Sequence, residues 1–299
     1  MMALAPAKPP FIARFGLSVF FFLARRTPGL LTLLRPLAVR LTVVFSPSTR
    51  RATVANARGI FGRTLPPREQ RRFTRDVITN FYNFVTDTAR ACSHTRQQLA
   101  NQIEEVVGEA AYLAHRASKR GAVLVTAHMG TFEVGMAALR QVEPKVNVVF
   151  KRDPFSQFEA TRSHVRKVLG VQEAPIDDGL PNLLRLRDAL LANEVVVMQG
   201  DRAMPGQRSQ AVPVCYGHLA LPTGPVKLAR LTGSPIVPVF VVRTEAGRYT
   251  VFLCDPVEVP DTDDAQDIAM TTIGKAMESF ISRYPQQWLV LEPAFTEDR

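Results

Sequence analysis

The chain has 299 residues, 46% of them hydrophobic and 21% charged, enough to bury a full core as one large domain or two. Its net charge of +10 is unevenly placed: residues 1–75 carry fourteen Lys or Arg against one acid, Glu69, while the remainder carries 23 basic and 26 acidic side chains. Three widely spaced cysteines, Cys92, Cys215 and Cys254, with no CxxC and no Cys–His cluster, argue against a disulfide framework and a zinc-type site. They fit a reduced, cytoplasm-facing protein with neither metal nor bound cofactor.

The N-terminal quarter joins basic charge to long apolar runs. Phe11 to Ala24 is the most hydrophobic stretch, but its charge-free part, Phe15 to Ala24, is far shorter than the ~20 residues a spanning helix needs. Arg25 and Arg26 follow directly, with no small-residue cleavage site. A second apolar segment, Leu30 to Phe45, is interrupted by Arg35, Pro36 and Arg40. Residues 11–45 therefore read as two helices lying in a membrane interface, with arginines at headgroup level. The alternative is an apolar hairpin packed on the protein's own core. Basic residues interleaved with apolar runs, and no reading helix, speak against nucleic-acid binding and for an anionic membrane surface. The organisation expected is a membrane-associating segment over 1–45 and a catalytic domain over 46–299.

Ser46 to Arg63 reads as a basic helix with a following turn, and Pro67 suits the first turn of the next helix. Phe73, Val77, Phe81 and Phe84 give that helix one apolar face. Ile103–Val107 reads as a strand and Gly108–Ser118 as a helix. Next come a buried-type strand over Ala122–Ala127, a break at His128-Met-Gly-Thr131, and a helix marked by Phe132, Met136 and Leu139. Strands over Val146–Phe150 and Val195–Gln199 enclose helices over Phe155–Leu169 and Leu180–Asn193. A helix over Val226–Leu231, a hairpin of Ile236–Val242 with Tyr249–Cys254, and a helix over Asp263–Tyr284 follow. Trp288–Leu291 is a candidate edge strand. Strands alternating with helices predict an α/β fold, with a mixed, largely parallel sheet flanked by helices. No P-loop, internal repeat or low-complexity run is present.

Chemistry gathers at three strand ends: His128 with Glu133, Arg152, and Asp201-Arg202. A strand that turns sharply into a helix places its turn at the carboxyl edge of the sheet, where open α/β sheets bind ligands. Gly130 permits the tight path, and Glu133 falls in the first helical turn, from which it can reach back to the imidazole. A neutral histidine can take the proton of a hydroxyl attacking a carbonyl, while a carboxylate on its other nitrogen fixes the tautomer. No serine or cysteine nucleophile is needed if the hydroxyl belongs to the substrate. A surface His–Glu pair is the plainer alternative. Arg152 could also simply cap a strand, and Asp201-Arg202 could be a local salt bridge.

His128-Met-Gly-Thr-Phe-Glu133 after an apolar strand resembles the His-x4-Asp/Glu motif of the lysophospholipid acyltransferase superfamily. The similarity is strongest to its lipid A biosynthesis branch, the lauroyl/myristoyl acyltransferases, whose motif reads "HfGnwE". Val148-Val-Phe-Lys-Arg152, Met198-Gln-Gly-Asp-Arg202 and Thr223-Gly-Pro225 through Phe240 resemble the later blocks of that branch, in order. Asn56 sits in a basic helix similar to the one after the branch's membrane anchor. The resemblance implies an acyltransferase fold, with His128 as general base held by Glu133. It also implies that Gly130, Arg152, Asp201, Arg202 and Gly224 shape the donor and acceptor site. The implied reaction moves a fatty acyl chain from an acyl carrier protein or coenzyme A thioester to a hydroxyl of a membrane lipid or glycolipid, such as a lipid A precursor, on the cytoplasmic face of a bacterial inner membrane. Two features depart from the branch. Thr131 and Phe132 replace its Asn and Trp, and its basic ending "W.HRRWK" is here Trp288-Leu-Val-Leu-Glu-Pro-Ala-Phe295. Two rival functions stay open: a lipid or thioester hydrolase using the same dyad on water, and a non-enzymatic lipid-binding protein.

Overall fold

The computed structural model describes residues 20, 22–24, 26–153 and 155–296. Most of the first expected interfacial helix, residues 11–19, lies outside the described residues. From Pro28 onward the described chain runs through α1 (Pro28–Phe45), α2 (Pro47–Phe61), α3 (Pro67–Ala91) and the short α4 (Arg96–Ala100). Pro36 does not end α1, which continues through it. Pro28, Pro47 and Pro67 each stand in the first turn of a helix, where the missing N–H has no intrahelical partner to lose. Gly62 closes α2 in the left-handed conformation at φ 64°.

The body alternates strands and helices: β1 (Ile103–Val107), α5 (Glu109–Arg116), β2 (Ala122–Thr126), α6 (Phe132–Val142), β3 (Val146–Phe150), α7 (Ser156–Leu169), β4 (Gln172–Pro175), α8 (Leu180–Leu191) and β5 (Val195–Gln199). The hairpin β6 (Ser209–Val214) and β7 (Gly217–Pro222) comes next. Then come α9 (Gly224–Thr232), β8 (Ile236–Arg243), β9 (Tyr249–Leu253), α10 (Ala265–Arg283) and β10 (Phe295–Thr296). Seven strands form one sheet in the order β1-β9-β8-β2-β5-β3-β4. Strands β8, β2, β5, β3 and β4 are parallel, β9 runs antiparallel to β8, and β1 is parallel to β9. The sheet is thus mixed and largely parallel, as expected. A second sheet, β10-β7-β6, lies outside the elements expected from local pattern. Trp288 makes a single bridge to Met129 rather than opening a strand, and the chain's last strand comes later, at Phe295.

The pleat divides the core in two. Ala122 and Leu124 of β2, Val195 and Val197 of β5, and Val237, Val239 and Val241 of β8 pack with Phe132, Met136 and Leu139 of α6 and Val165 and Leu169 of α7. Val123, Val125, Val196, Met198, Ile236 and Phe240 point the other way, onto Leu186 and Leu190 of α8, Val226 and Leu228 of α9, and Met270 and Ile273 of α10. All five residues of β2 are buried, which is why that strand reads as a continuous apolar run rather than an alternating one.

The leading helices are attached through α3. Tyr82 donates to the Leu31 carbonyl at 2.9 Å and Arg35 donates to Asn83 at 3.1 Å, while Leu31 packs with Ala89. Asn56 of α2 is fully used: its Nδ2 donates to the Val290 and Glu292 carbonyls and its Oδ1 accepts from Ala294 N. The outer face of α1 shows Leu30, Leu33, Leu34, Leu37, Leu41, Val44 and Phe45 to solvent, with Leu33 76% and Phe45 77% exposed. Their spacing places them on one side of the helix. Among the described residues no single helix is long and apolar enough to cross a membrane. The pair Gly29–Phe45 and Pro47–Phe61, bent by 88°, reaches that length and composition only jointly.

Candidate active site

Strands β2 and β5 lie side by side and parallel, so the residues that leave their carboxyl ends meet. His128 follows β2 and Asp201 follows β5. The His128 Nδ1 lies 2.7 Å from Asp201 Oδ1, and the backbone N–H of His128 donates to Asp201 Oδ2 at 3.0 Å. Trp288 Nε1 donates to the same Oδ2 at 2.8 Å. Asp201 is 1% exposed. Burial alone would raise its pKa, but the electrostatic interaction with His128 and the hydrogen bonds from His128 and Trp288 outweigh it and hold the carboxyl below its usual range. An ionised carboxylate only accepts, so Nδ1 carries the ring proton. The Nε2 edge has no hydrogen bond to the described residues, and 27% of the side chain is exposed.

The turn that presents His128 is tightly built. Gly130 has φ 58°, and a Cβ there would meet the Val241 carbonyl oxygen at 2.4 Å, so both conformation and space demand glycine. Leu289 N donates to the His128 carbonyl at 2.7 Å. Thr131 stands at the N-cap of α6 but does not cap it. Its hydroxyl instead meets Tyr249 Oη at 2.8 Å, and Tyr249 donates to Asp87 at 2.6 Å. Arg243 completes that group with a 3.0 Å ion pair to Asp87. Burial, then the Asp87 carboxylate, push the Tyr249 phenol well up, so it stays protonated as the donor. The first N–H groups of α6 are left without a side-chain cap.

Glu133 is not where the spacing suggested. Its carboxylate is fully buried and ion-paired with Arg162 of α7. Oε2 has no partner among the described residues. The first turn of α6 aims this side chain toward α7, whereas the imidazole turns across the sheet edge toward β5. Burial would lower the Arg162 pKa, but the Glu133 charge and hydrogen bond, with the charges of Glu159 and Asp153, outweigh it and raise that pKa. Arg152 is also turned away, held at the surface by Asp177 and Asp178, the latter at 2.9 Å. Arg202 follows Asp201 and pairs with Glu292 at 2.9 Å, while its buried Nε has no partner among the described residues. Gly224 opens α9, and a Cβ there would meet nothing within 4 Å. The structure therefore brings together His128, Gly130, Asp201 and Arg202. It adds Trp288 and leaves Glu133 and Arg152 with other partners. Asp201 was visible in the sequence as an acid after a buried strand. Its pairing with His128 was not, because strand order is not written in local pattern.

Beneath the turn, a narrow apolar cavity of about 30 Å³ lies between α6 and β1, β9, β8 and β2. Leu124, Thr126, Phe132, Met136, Val241 and Leu253 help line it, and Glu109 is its one charged lining residue.

A partly exposed histidine backed by a buried carboxylate, at the carboxyl edge of an α/β sheet, defines a protein equipped to take a proton from a hydroxyl. The chain belongs to the bacterial lipid A biosynthesis acyltransferase family, whose model matches residues 20–297. It is similar to the lipid A biosynthesis lauroyltransferase of Escherichia coli (strain K12), at 28% identity over 194 residues, 64% of this chain and 61% of that protein. It is also similar to the phosphatidylinositol mannoside acyltransferase of Mycobacterium tuberculosis (strain ATCC 25618 / H37Rv), at 26% identity over 225 residues, 74% of this chain and 69% of that protein.

Proposed function

We propose that this protein transfers a fatty acyl chain from an acyl thioester to a hydroxyl of a membrane glycolipid, with His128 as the general base and Asp201 as its carboxylate partner. The observation that carries the reading is the His128–Asp201 pair, which leaves Nε2 open at the sheet edge. The acceptor hydroxyl gives its proton to Nε2 as its oxygen attacks the thioester carbonyl. The tetrahedral oxyanion is met by the uncapped N–H groups that begin α6. Collapse expels the thiolate, which takes the proton back from the imidazolium and leaves as thiol. No acyl-enzyme is formed and no metal or cofactor takes part. Asp201 stabilises the transient imidazolium.

The apolar slot under α6 reaches Thr126 and Phe132, on either side of the catalytic turn, and would receive the acyl chain of the donor by opening. Arg202, with its spare buried N–H, suits an anionic group of either substrate. A glycolipid acceptor is favoured because both relatives' names, lipid A and phosphatidylinositol mannoside, describe glycolipids. The exposed apolar face of α1 rests on the membrane interface and brings the site to its acceptor, at the cytoplasmic face of the inner membrane where acyl carrier protein and coenzyme A thioesters are found.

Purified protein given acyl-carrier-protein or acyl-coenzyme A thioesters and a panel of glycolipids is expected to release thiol and form acylated lipid, detected by mass spectrometry. Free fatty acid as the main product, with acceptor in excess, would identify a hydrolase. Lipid binding without turnover from any donor would identify a binding protein.

A further inference from the structure

We propose that Trp288 is a positioning residue for the His128–Asp201 pair: its indole N–H fixes the Asp201 carboxylate and moderates how tightly that carboxylate holds the imidazolium. The inference rests on the reading of His128 as general base, and it concerns a residue that touches neither reacting partner.

Three observations carry it. Trp288 is 2% exposed and its Nε1 donates to Asp201 Oδ2 at 2.8 Å, the oxygen that also accepts the His128 backbone N–H. Oδ1 is thereby left to the imidazole alone, at 2.7 Å. The same segment also grips the histidine backbone, through the Met129–Trp288 bridge and the Leu289 N bond to the His128 carbonyl at 2.7 Å. A buried carboxylate without a third donor would rotate or draw in water, and either change moves Oδ1 off Nδ1. The indole N–H is a donor only, so it cannot compete with the imidazole for the proton. It also withdraws negative charge from the carboxylate, which makes the imidazolium less stable and easier to deprotonate. Arg202 is ion-paired with Glu292, and Glu133 with Arg162. Trp288 is itself held in its slot by Phe295, edge-on with centroids 5.8 Å apart.

The test compares Trp288→Phe, which keeps an aromatic ring and removes the N–H, with Phe295→Leu, which loosens the packing of the same indole and keeps the N–H. Trp288→Phe is expected to lower kcat about tenfold, as for loss of one hydrogen bond to a charged group. KM should stay within about twofold, since no substrate contact is lost. The acid limb of the kcat/KM profile should move to higher pH. Phe295→Leu should leave that limb in place. If Trp288→Phe folds poorly, replacing Trp288 with 3-benzothienylalanine, which puts sulfur where the N–H stood, makes the same comparison within a bicyclic ring. An unmoved limb with unchanged kcat would overturn the proposal, as would an equal shift in Phe295→Leu. The imidazole titration of His128, followed by NMR in detergent micelles, reads the same effect without turnover. Absence of acyl transfer in the unaltered protein would therefore sink the functional reading, while the NMR shift would still decide the role of Trp288.

Discussion

Asp201 and His128 share two hydrogen bonds, one to the ring and one to the backbone N–H of the same residue. A carboxylate bound in this double way sets both the tautomer of the imidazole and the path of the turn that carries it. Asp201→Asn should therefore lower kcat by about 10³-fold or more, as loss of the carboxylate does in other histidine-based sites, with the fold intact by circular dichroism. Its acid limb should move to lower pH, because an amide no longer stabilises the imidazolium. His128→Ala should abolish turnover. The Asp201 pKa is depressed in the folded state, so its contribution to stability is present above about pH 4 and is lost as pH falls through the lowered value. Acid unfolding followed by fluorescence should show less dependence on pH in that range in Asp201→Asn than in the parent.

Glu133 and Arg162 form a buried ion pair, which gives Glu133 a role in holding α6 against α7. Removing one partner strands the other charge, so Glu133→Leu and Arg162→Met should each destabilise by about 3–5 kcal/mol. The double replacement should recover much of that loss in chemical denaturation. Turnover should follow stability through the series. If Glu133→Gln lost activity at unchanged stability, Glu133 would be acting on the reaction directly.

The cavity beneath α6 is narrow at Gly135, where a Cβ would meet Val241 Cγ2 at 2.4 Å. Ala138 is buried and lines the same cavity. With the slot opening to take the donor's acyl chain, Ala138→Phe should block it and shift donor preference toward shorter chains, read as the ratio of kcat/KM across a thioester series. An unchanged ratio would place the chain elsewhere.

The exposed side of α1 should carry membrane attachment. Leu33, Leu37 and Phe45 are each more than half exposed, and burying such side chains is worth about 1.5–3 kcal/mol apiece. Leu33→Asp with Leu37→Asp should weaken binding to vesicles of neutral and anionic lipid in a flotation assay, while leaving thermal stability close to that of the parent. High salt should not release the unaltered protein, whereas detergent should. Release by salt alone would assign the hold to the arginines.

Local pattern made much of this molecule legible. The continuous apolar run of β2, the helical spacing of Phe132, Met136 and Leu139, and the hairpin of β8 and β9 all follow from short-range periodicity, and each was readable before any coordinates. So was His128 at a strand end, since an isolated polar residue after a buried strand leaves few other places for it. The partner of His128 was a different matter. Sequence distance favoured Glu133, five residues away, over Asp201, 73 residues away. The contest was settled by β5 inserting beside β2, a long-range choice made by the packing of two cores on the two faces of one sheet. Trp288 reached the site for the same reason, carried there by a segment that makes one bridge to Met129. The β6–β7–β10 sheet was likewise unreadable, since its third strand is two residues long and pairs across 76 residues of chain. The residue types able to do chemistry were thus fixed by sequence, while which of them touch was decided by strand order, because neighbouring strands are chosen by total burial and not by proximity along the chain.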